Sequence, residues 1–184
     1  MRVISGKNRG EKLFSPVLSS VRPTRSMVKA ALFNMIRSHI KDSTFLDLFA
    51  GCGAVGIQAL SEGAGRVFFV EKKTHCIQLI QKNIQKLGRM RQSTIVKSRV
   101  ESFLKHHDLD IFDFIFMDPP YFYTIEQYCD MFEHILRQMK RGGKLFFEYT
   151  ANYDMSFLSS AHLFDFKENR YGNTKLGIIS QKNE

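Results

Sequence analysis

The stretch FIFMDPPYFY, Phe114 to Tyr123, brings together groups able to handle a nitrogen nucleophile. Proline donates no ladder hydrogen bond and keeps the residue before it extended, so Pro119 and Pro120 end a hydrophobic strand in a stiff turn. That turn presents the Asp118 carboxylate, the Pro119 carbonyl and the Tyr121 ring. The exocyclic amine of a nucleobase is a weak nucleophile because its lone pair is delocalised into the ring. A carboxylate and a carbonyl that each accept one of its N–H bonds turn the lone pair outward and meet the positive charge that develops on nitrogen. Tyr121 or Phe122 would stack on a base rotated out of its helix, a contact worth roughly 1–3 kcal/mol. Taken alone, a turn-capping aspartate and a half-buried aromatic are the simpler readings.

A second motif upstream changes that balance. In LDLFAGCGAVGIQAL, Gly51, Gly53 and Gly56 fit the G-x-G-x-x-G pattern between a strand and a helix, where the backbone can approach a ligand and the helix start offers free N–H groups. Glu71 ends the next strand about twenty residues on, where a carboxylate can hold both hydroxyls of an adenosine ribose. A nicotinamide dinucleotide and S-adenosylmethionine both suit this layout. Asp47, inside the strand before the turn, favours the second: it would attract the methionine ammonium and repel a pyrophosphate.

These residues must be held by strands that end in a common cleft. The chain alternates β-rich and helical runs: a helix over Thr24 to about Ile40 with Met27, Ala31, Ile36 and Ile40 near helical spacing; TFLDLF; a helix from Ala54 to Glu62; RVFFVE; Thr74 to Leu87; STIVKS; Val100 to His106; FDFIFM; Thr124 to Met139; KLFFEY. Such alternation predicts a mostly parallel sheet with helices on both faces, whose ligands collect at the carboxyl ends of the strands. From Leu163 through TKLGIIS a closing pair of strands turns at Tyr171, Gly172 and Asn173. The opening RVISGKNRGEKLFSP reads as a small basic hairpin around Gly6 to Gly10. We therefore divide the chain into a hairpin extension, residues 1–20, and one Rossmann-like domain, residues 21–184.

The bulk composition agrees with this reading. The 184 residues are 43% hydrophobic, enough for one core, and no run is long and apolar enough to span a membrane. The N-terminus lacks the apolar block of a signal peptide, which makes the cytoplasm the expected compartment. Cys52, Cys76 and Cys129 are widely spaced, and neither they nor the six histidines show metal-ligand spacing, so no metal is expected. A net charge of +9 favours a polyanionic partner, and Arg2, Lys7, Arg9, Lys12, Arg22 and Arg25 concentrate that charge near the N-terminus.

With these residues in view, the sequence resembles the RsmD family of bacterial ribosomal RNA methyltransferases. The likeness runs over MRVISGKNRG, the RPT of Arg22 to Thr24, ALFNMI, DLFAGCGAVGIQALSEGA, DFIFMDPPY and YGNTKLGII. The hairpin and RPT are particular to that family, whereas the glycine turn and DPPY recur in many amino-group methyltransferases. The resemblance implies a class I methyltransferase fold and methylation of a guanine N2 in small-subunit ribosomal RNA, with S-adenosylmethionine as donor. It implies a cofactor site at Asp47, Phe49, Ala50, Gly51, Gly53, Gly56, Glu71, Lys72 and Val100, with Arg22 and Thr24 near cofactor and target. Asp118, Pro119, Pro120 and Tyr121 would hold the guanine, and Arg2, Lys7, Arg9, Lys12, Arg22, Arg25, Tyr121 and Phe122 would contact RNA. The expected partner is ribosomal RNA within an assembling small subunit, met by a monomer. Two positions depart from the family: Arg99 stands where such enzymes often carry Asp or Asn against the adenine amine, and Gln58 where Glu is common.

Rival readings differ in their needs. A DNA adenine N6-methyltransferase shares DPPY but usually carries a further region to read DNA sequence. Enzymes that methylate protein glutamine resemble NPPY. A catalytically idle RNA-binding assembly factor would have no use for Asp118, the glycines and Glu71 together, and a dehydrogenase would need a second domain.

Overall fold

Strand β1 (Thr44–Leu48) is buried at four of its five residues, which a strand covered on both faces requires. In the computed structural model of the protein, residues 1–15, 23–107, 111–160 and 164–181 are described, with side chains from residue 26 onward in the first helix. β1 lies between β2 (Arg66–Glu71) and β4 (Phe112–Met117), both parallel to it, and β3 (Ser93–Lys97) flanks β2. β5 (Met139–Thr150) continues the parallel set beside β4. β6 (Phe164–Tyr171) and β7 (Thr174–Gln181) are antiparallel and close the order β3-β2-β1-β4-β5-β7-β6. The strand order reverses between β1 and β4, the switch point at whose carboxyl side a crevice forms.

Side-chain alternation along the strands builds one core on each face. Phe45, Val67, Phe69 and Phe146 pack against α1 (Pro23–Ile36), α2 (Ala54–Glu62) and α3 (Thr74–Lys86). Leu46, Leu48, Ile115 and Phe147 pack against α4 (Val100–His106) and α5 (Ile125–Leu136). The chain has no tryptophan, and phenylalanines such as Phe33, Phe45, Phe103 and Phe146 fill these cores, each burial contributing roughly 1.5–3 kcal/mol.

The expected architecture of a mostly parallel sheet, helices on both faces and a C-terminal antiparallel pair is the one found, with local differences. The first helix ends at Ile36, because His39 N–H bonds the Ile36 carbonyl in a turn; Ile40 is buried on its own account. Its core face is Val28, Leu32, Phe33 and Ile36, while Met27 is 59% exposed. The fifth helix stops at Leu136 and Met139 already belongs to β5, paired with Phe112 across a register shift that a polar MKRGG segment does not announce. Thr124 caps that helix, exchanging bonds with Gln127 in a capping box.

The N-terminal residues pair through an Arg2–Lys12 bridge and are packed down, not free. Val3 and Leu13 are buried with the α1–α3 core. Asn83 on α3 both donates to the Phe14 carbonyl (3.0 Å) and accepts its N–H (2.8 Å). Gln58 on α2, whose role the sequence left open, is 1% exposed and accepts the Ile4 N–H at 2.9 Å while donating to Ser5 and Glu62. It anchors the hairpin and does not line the cleft described next.

Candidate active site

At the carboxyl end of β1 the chain turns sharply: Phe49 has φ 57°, Gly51 φ 56° and Gly53 φ 81°. Phe49 bears a left-handed conformation that non-glycine residues seldom adopt and that concentrates at functional turns. Gly56, in the first turn of α2, meets a different demand. A β-carbon there would lie 2.3 Å from Cε1 of the buried Phe69, so its missing side chain sets the approach of α2 to β2.

Two carboxylates fix this turn. Asp47 is 2% exposed, and its Oδ2 accepts the Gly56 N–H at 2.8 Å, tying β1 to the start of α2. Burial pushes its pKa up to about 7; the Gly56 bond opposes the shift, and the nearby Asp118 and Glu71 charges add to it. Glu71 Oε2 accepts the Gly51 N–H at 2.9 Å, and its Oε1 accepts the Lys72 and Lys73 N–H groups at 2.9 and 2.8 Å. A carboxylate can accept about four such bonds, so Oε2 retains capacity for one further donor on the cleft side.

At the end of β4 the DPPY segment forms a second turn, closed by Tyr123 N–H on the Pro120 carbonyl at 3.0 Å. Its aromatic side chains divide. Tyr121 is 59% and Phe122 74% exposed, whereas Tyr123 is buried, edge-on to Phe49 with ring centroids 5.4 Å apart. The Tyr123 hydroxyl donates to Glu101 at the start of α4, and its carbonyl accepts the Tyr153 hydroxyl at 2.9 Å. Tyr123 therefore braces the DPPY turn against both the glycine turn and α4. Burial opposes the charge on Glu101, but the Tyr123 hydroxyl, the backbone N–H, Arg99 and Lys72 together hold its carboxyl below the usual range.

Both turns open into one cleft of about 530 Å³, a size typical of small-molecule sites. Of the expected residues, Asp47, Phe49, Ala50, Gly51, Glu71, Lys72 and Val100 line it on one side and Asp118 to Phe122 on the other. Gly53 and Gly56 shape the turn without facing the cleft. Arg22 lies outside the described residues, as do the side chains of Thr24 and Arg25. Arg2, Lys7, Arg9 and Lys12 are exposed away from the cleft. Lys7 N–H and Asn8 N–H bond Ser61 near the far end of α2, so the hairpin tip sits about one helix length, roughly 13 Å, from the glycine turn.

Sequence reasoning missed part of the wall. Glu101 lines the cleft beside the expected Val100 and its neighbour Ser98, while Arg99 turns its guanidinium to Glu101 at 3.6 Å and does not face the cleft. Glu148, at the carboxyl half of β5, lines it as well, and the signal that pointed to Glu71, an acid closing a hydrophobic strand, was available in KLFFEY. The lining is acid-rich: Asp47, Glu71, Glu101, Asp118 and Glu148 outweigh Lys72 and Lys73 in a chain of net charge +9, so the cleft favours a cationic small molecule. Among the described residues no group of three or more His, Cys, Asp or Glu is placed to hold a metal ion, and no helix is long and apolar enough to cross a membrane.

The family model described as Conserved hypothetical protein 95 matches residues 1–180. Ribosomal RNA small subunit methyltransferase D of Haemophilus influenzae is 37% identical over 131 residues, 69% of this chain and 67% of that protein. The Escherichia coli protein of the same name is 36% identical over 121 residues, 66% of this chain and 60% of that one. Among solved structures, yhhF from Escherichia coli superimposes with a TM-score of 0.86 at 24% identity, covering 100% of this chain and 99% of that one, a likeness of fold.

Proposed function

The chain belongs to the family described as Conserved hypothetical protein 95, and from that premise we propose that it transfers a methyl group from S-adenosylmethionine to the exocyclic N2 amine of a guanine in small-subunit ribosomal RNA. The observation that carries this reading is the convergence of the glycine turn, with Asp47 and Glu71, and the DPPY turn on one cleft at the switch point of the sheet. Relatives named for small-subunit ribosomal RNA methylation, at 36% and 37% identity, support the substrate class.

The residues present fit the cofactor. Glu71 keeps one acceptor position for a ribose hydroxyl, and the acid-rich lining suits a molecule carrying sulfonium and ammonium charges. When bound, S-adenosylmethionine supplies a methyl on an electron-poor sulfur. The protein's contribution is to bind, align and exclude water. Asp47 and Glu71 set the glycine turn, and Asp118 with the Pro119 carbonyl orients the amine and meets its developing charge. Tyr121 and Phe122, exposed at the mouth, stack the extruded base. The exposed Arg2, Lys7, Arg9 and Lys12 extend the footprint to phosphates beyond the cleft, as expected for a structured RNA in an assembling particle. The enzyme acts as a cytoplasmic monomer without a metal.

The test is a labelled methyl-transfer assay with small-subunit particles, free ribosomal RNA and duplex DNA from cells lacking the gene, followed by nucleoside analysis. N2-methylguanosine in the ribosomal material is the expected product. Label in DNA adenine, or none at all, would overturn the proposal.

A further inference from the structure

Beyond Asp118 and Pro119 the cleft narrows into a second recess at the carboxyl end of β5. Glu148 lines both spaces, and Tyr123, Tyr128 and Tyr153 wall the recess. These walls are fixed: Tyr128 O–H bonds the Glu148 carbonyl at 2.9 Å, and Tyr153 O–H bonds the Tyr123 carbonyl at 2.9 Å. The recess holds about 10 Å³, too little for one water, so a base in the larger cleft would stop with its edge at the mouth of the recess, where Asp118 and Glu148 line both spaces. Two acidic residues, Asp118 and Glu148, thus meet at that mouth. The Tyr128 hydroxyl senses both: burial first, then Asp118, Tyr153 and Glu148 push its pKa upward.

Resting on the methyl-transfer reading above, we propose that Glu148 is the residue that selects guanine, its carboxylate accepting the N1–H while Asp118 and the Pro119 carbonyl hold the two hydrogens of the N2 amine. The Watson–Crick edge of guanine offers three N–H bonds side by side, one on N1 and two on N2. Asp118, Pro119 and Glu148, which line the recess together, carry the matching acceptor types, two carboxylates and one carbonyl. Adenine presents the same kind of amine, but its neighbouring N1 is an acceptor, and its lone pair would meet a carboxylate that has nothing to donate. Glu148 therefore discriminates by chemistry at a ring position that does not react. A site built around a hydrogen bond rejects the analogue that lacks it, because the buried polar group is left unmatched.

The discriminating substrate is 2-aminopurine, which keeps the reacting amine and replaces N1–H with a bare acceptor. Small-subunit RNA is assembled by ligation with guanine or 2-aminopurine at the mapped methylation position, and single-turnover methyl transfer is compared. Wild type should favour guanine by roughly 10- to 100-fold, the weight of a hydrogen bond to a charged group. Glu148→Gln, whose amide can accept from N1–H or donate to a bare N1, should narrow that preference to within about threefold. Calorimetry should show that the variant melts cooperatively and still binds S-adenosylhomocysteine, reporting an intact fold and cofactor half. A preference retained in a folded, cofactor-binding Glu148→Gln overturns the assignment. So does a wild type that accepts 2-aminopurine as readily as guanine, a result that holds even if the variant does not fold. Failure of wild type to methylate guanine in any form overturns the underlying reading and this assignment together.

Discussion

Replacing Gly56 with alanine sets two effects against each other. Helix propensity favours alanine by about 1 kcal/mol at an interior position, and by no more than that in the first turn where Gly56 stands. Packing opposes it: the new β-carbon would lie 2.3 Å from Cε1 of Phe69 and 2.9 Å from Cδ1 and Cζ, against an ordinary carbon contact of about 3.5–4.0 Å. The ring cannot swing out to solvent, since Phe69 is 0% exposed and packed in the core beneath α2 and α3. Overpacking of this kind costs typically 1–3 kcal/mol, and an overlap above ~1 Å places it at the upper end, for a net loss of about 2 kcal/mol. In a chain of this size that lowers Tm by roughly 4–8 °C. The displacement would pass to the site, because Gly56 N–H holds Asp47 and α2 begins beside the glycine turn. Affinity for S-adenosylhomocysteine should then fall by about tenfold or more. Calorimetric melting and titration of wild type, Gly56→Ala, Phe69→Leu and the double variant measure both effects. A smaller side chain at Phe69 should relieve much of the alanine penalty. A Tm at or above wild type in Gly56→Ala, or an equal penalty in the Phe69→Leu background, would refute the packing argument.

Asp118→Asn should reduce turnover by roughly a hundredfold or more while leaving S-adenosylhomocysteine affinity within about twofold; near-normal turnover would remove Asp118 from the amine site. Glu71→Gln leaves the Gly51, Lys72 and Lys73 N–H groups to a neutral acceptor, and calorimetry should show cofactor affinity lower by about tenfold; unchanged affinity would free Glu71 from any ligand role. Asp47, with its pKa near 7, must be ionised to attract a cation, so cofactor affinity should rise as pH increases through 7, with protons released on binding. The linked stability runs the other way: a carboxyl raised in the folded state stabilises the ligand-free fold below its unfolded pKa near 4, and that contribution is lost as pH rises towards 7. Titrations in buffers of different ionisation enthalpy that detect no proton release would contradict this. Neutralising Arg2, Lys7, Arg9 and Lys12 together should lower the slope of log affinity for RNA against log salt; an unaltered slope places the RNA on another face.

Much of the architecture was legible because local signals and the fold agree. RVFFVE, FDFIFM and the helix from Val100 to His106 appear with the boundaries that hydrophobic runs and turn residues predict. MKRGG within β5 was not, since its pairing is imposed by β4 across a register shift and leaves no apolar trace. At the site, Asp47, Gly51, Glu71 and Asp118 could be picked out because their types are unusual where they stand, a charge inside a buried strand or an acid before two prolines. Tyr123, Glu101 and Glu148 matter through what they touch across 22 residues or a strand crossing, and such contacts have no spacing to read. Gln58 shows the same limit in reverse. Its neighbours in sequence point to the glycine helix, while its side chain serves the N-terminus on the other face.

The docking of that N-terminus bears on how the chain is made. Val3 and Leu13 leave the ribosome ahead of the groups that receive this segment: Gln58 and Asn83 follow 54 and 69 residues behind their backbone partners Ile4 and Phe14. Until α2 and α3 have been synthesised and set on the sheet, Val3 and Leu13 lack the core that covers them. Contacts of such long separation form late because loop closure must precede them. Residues translated well before their partners are thus among the last to find their places, and their amides should be the ones whose protection from hydrogen exchange reports that α2 and α3 are set on the sheet.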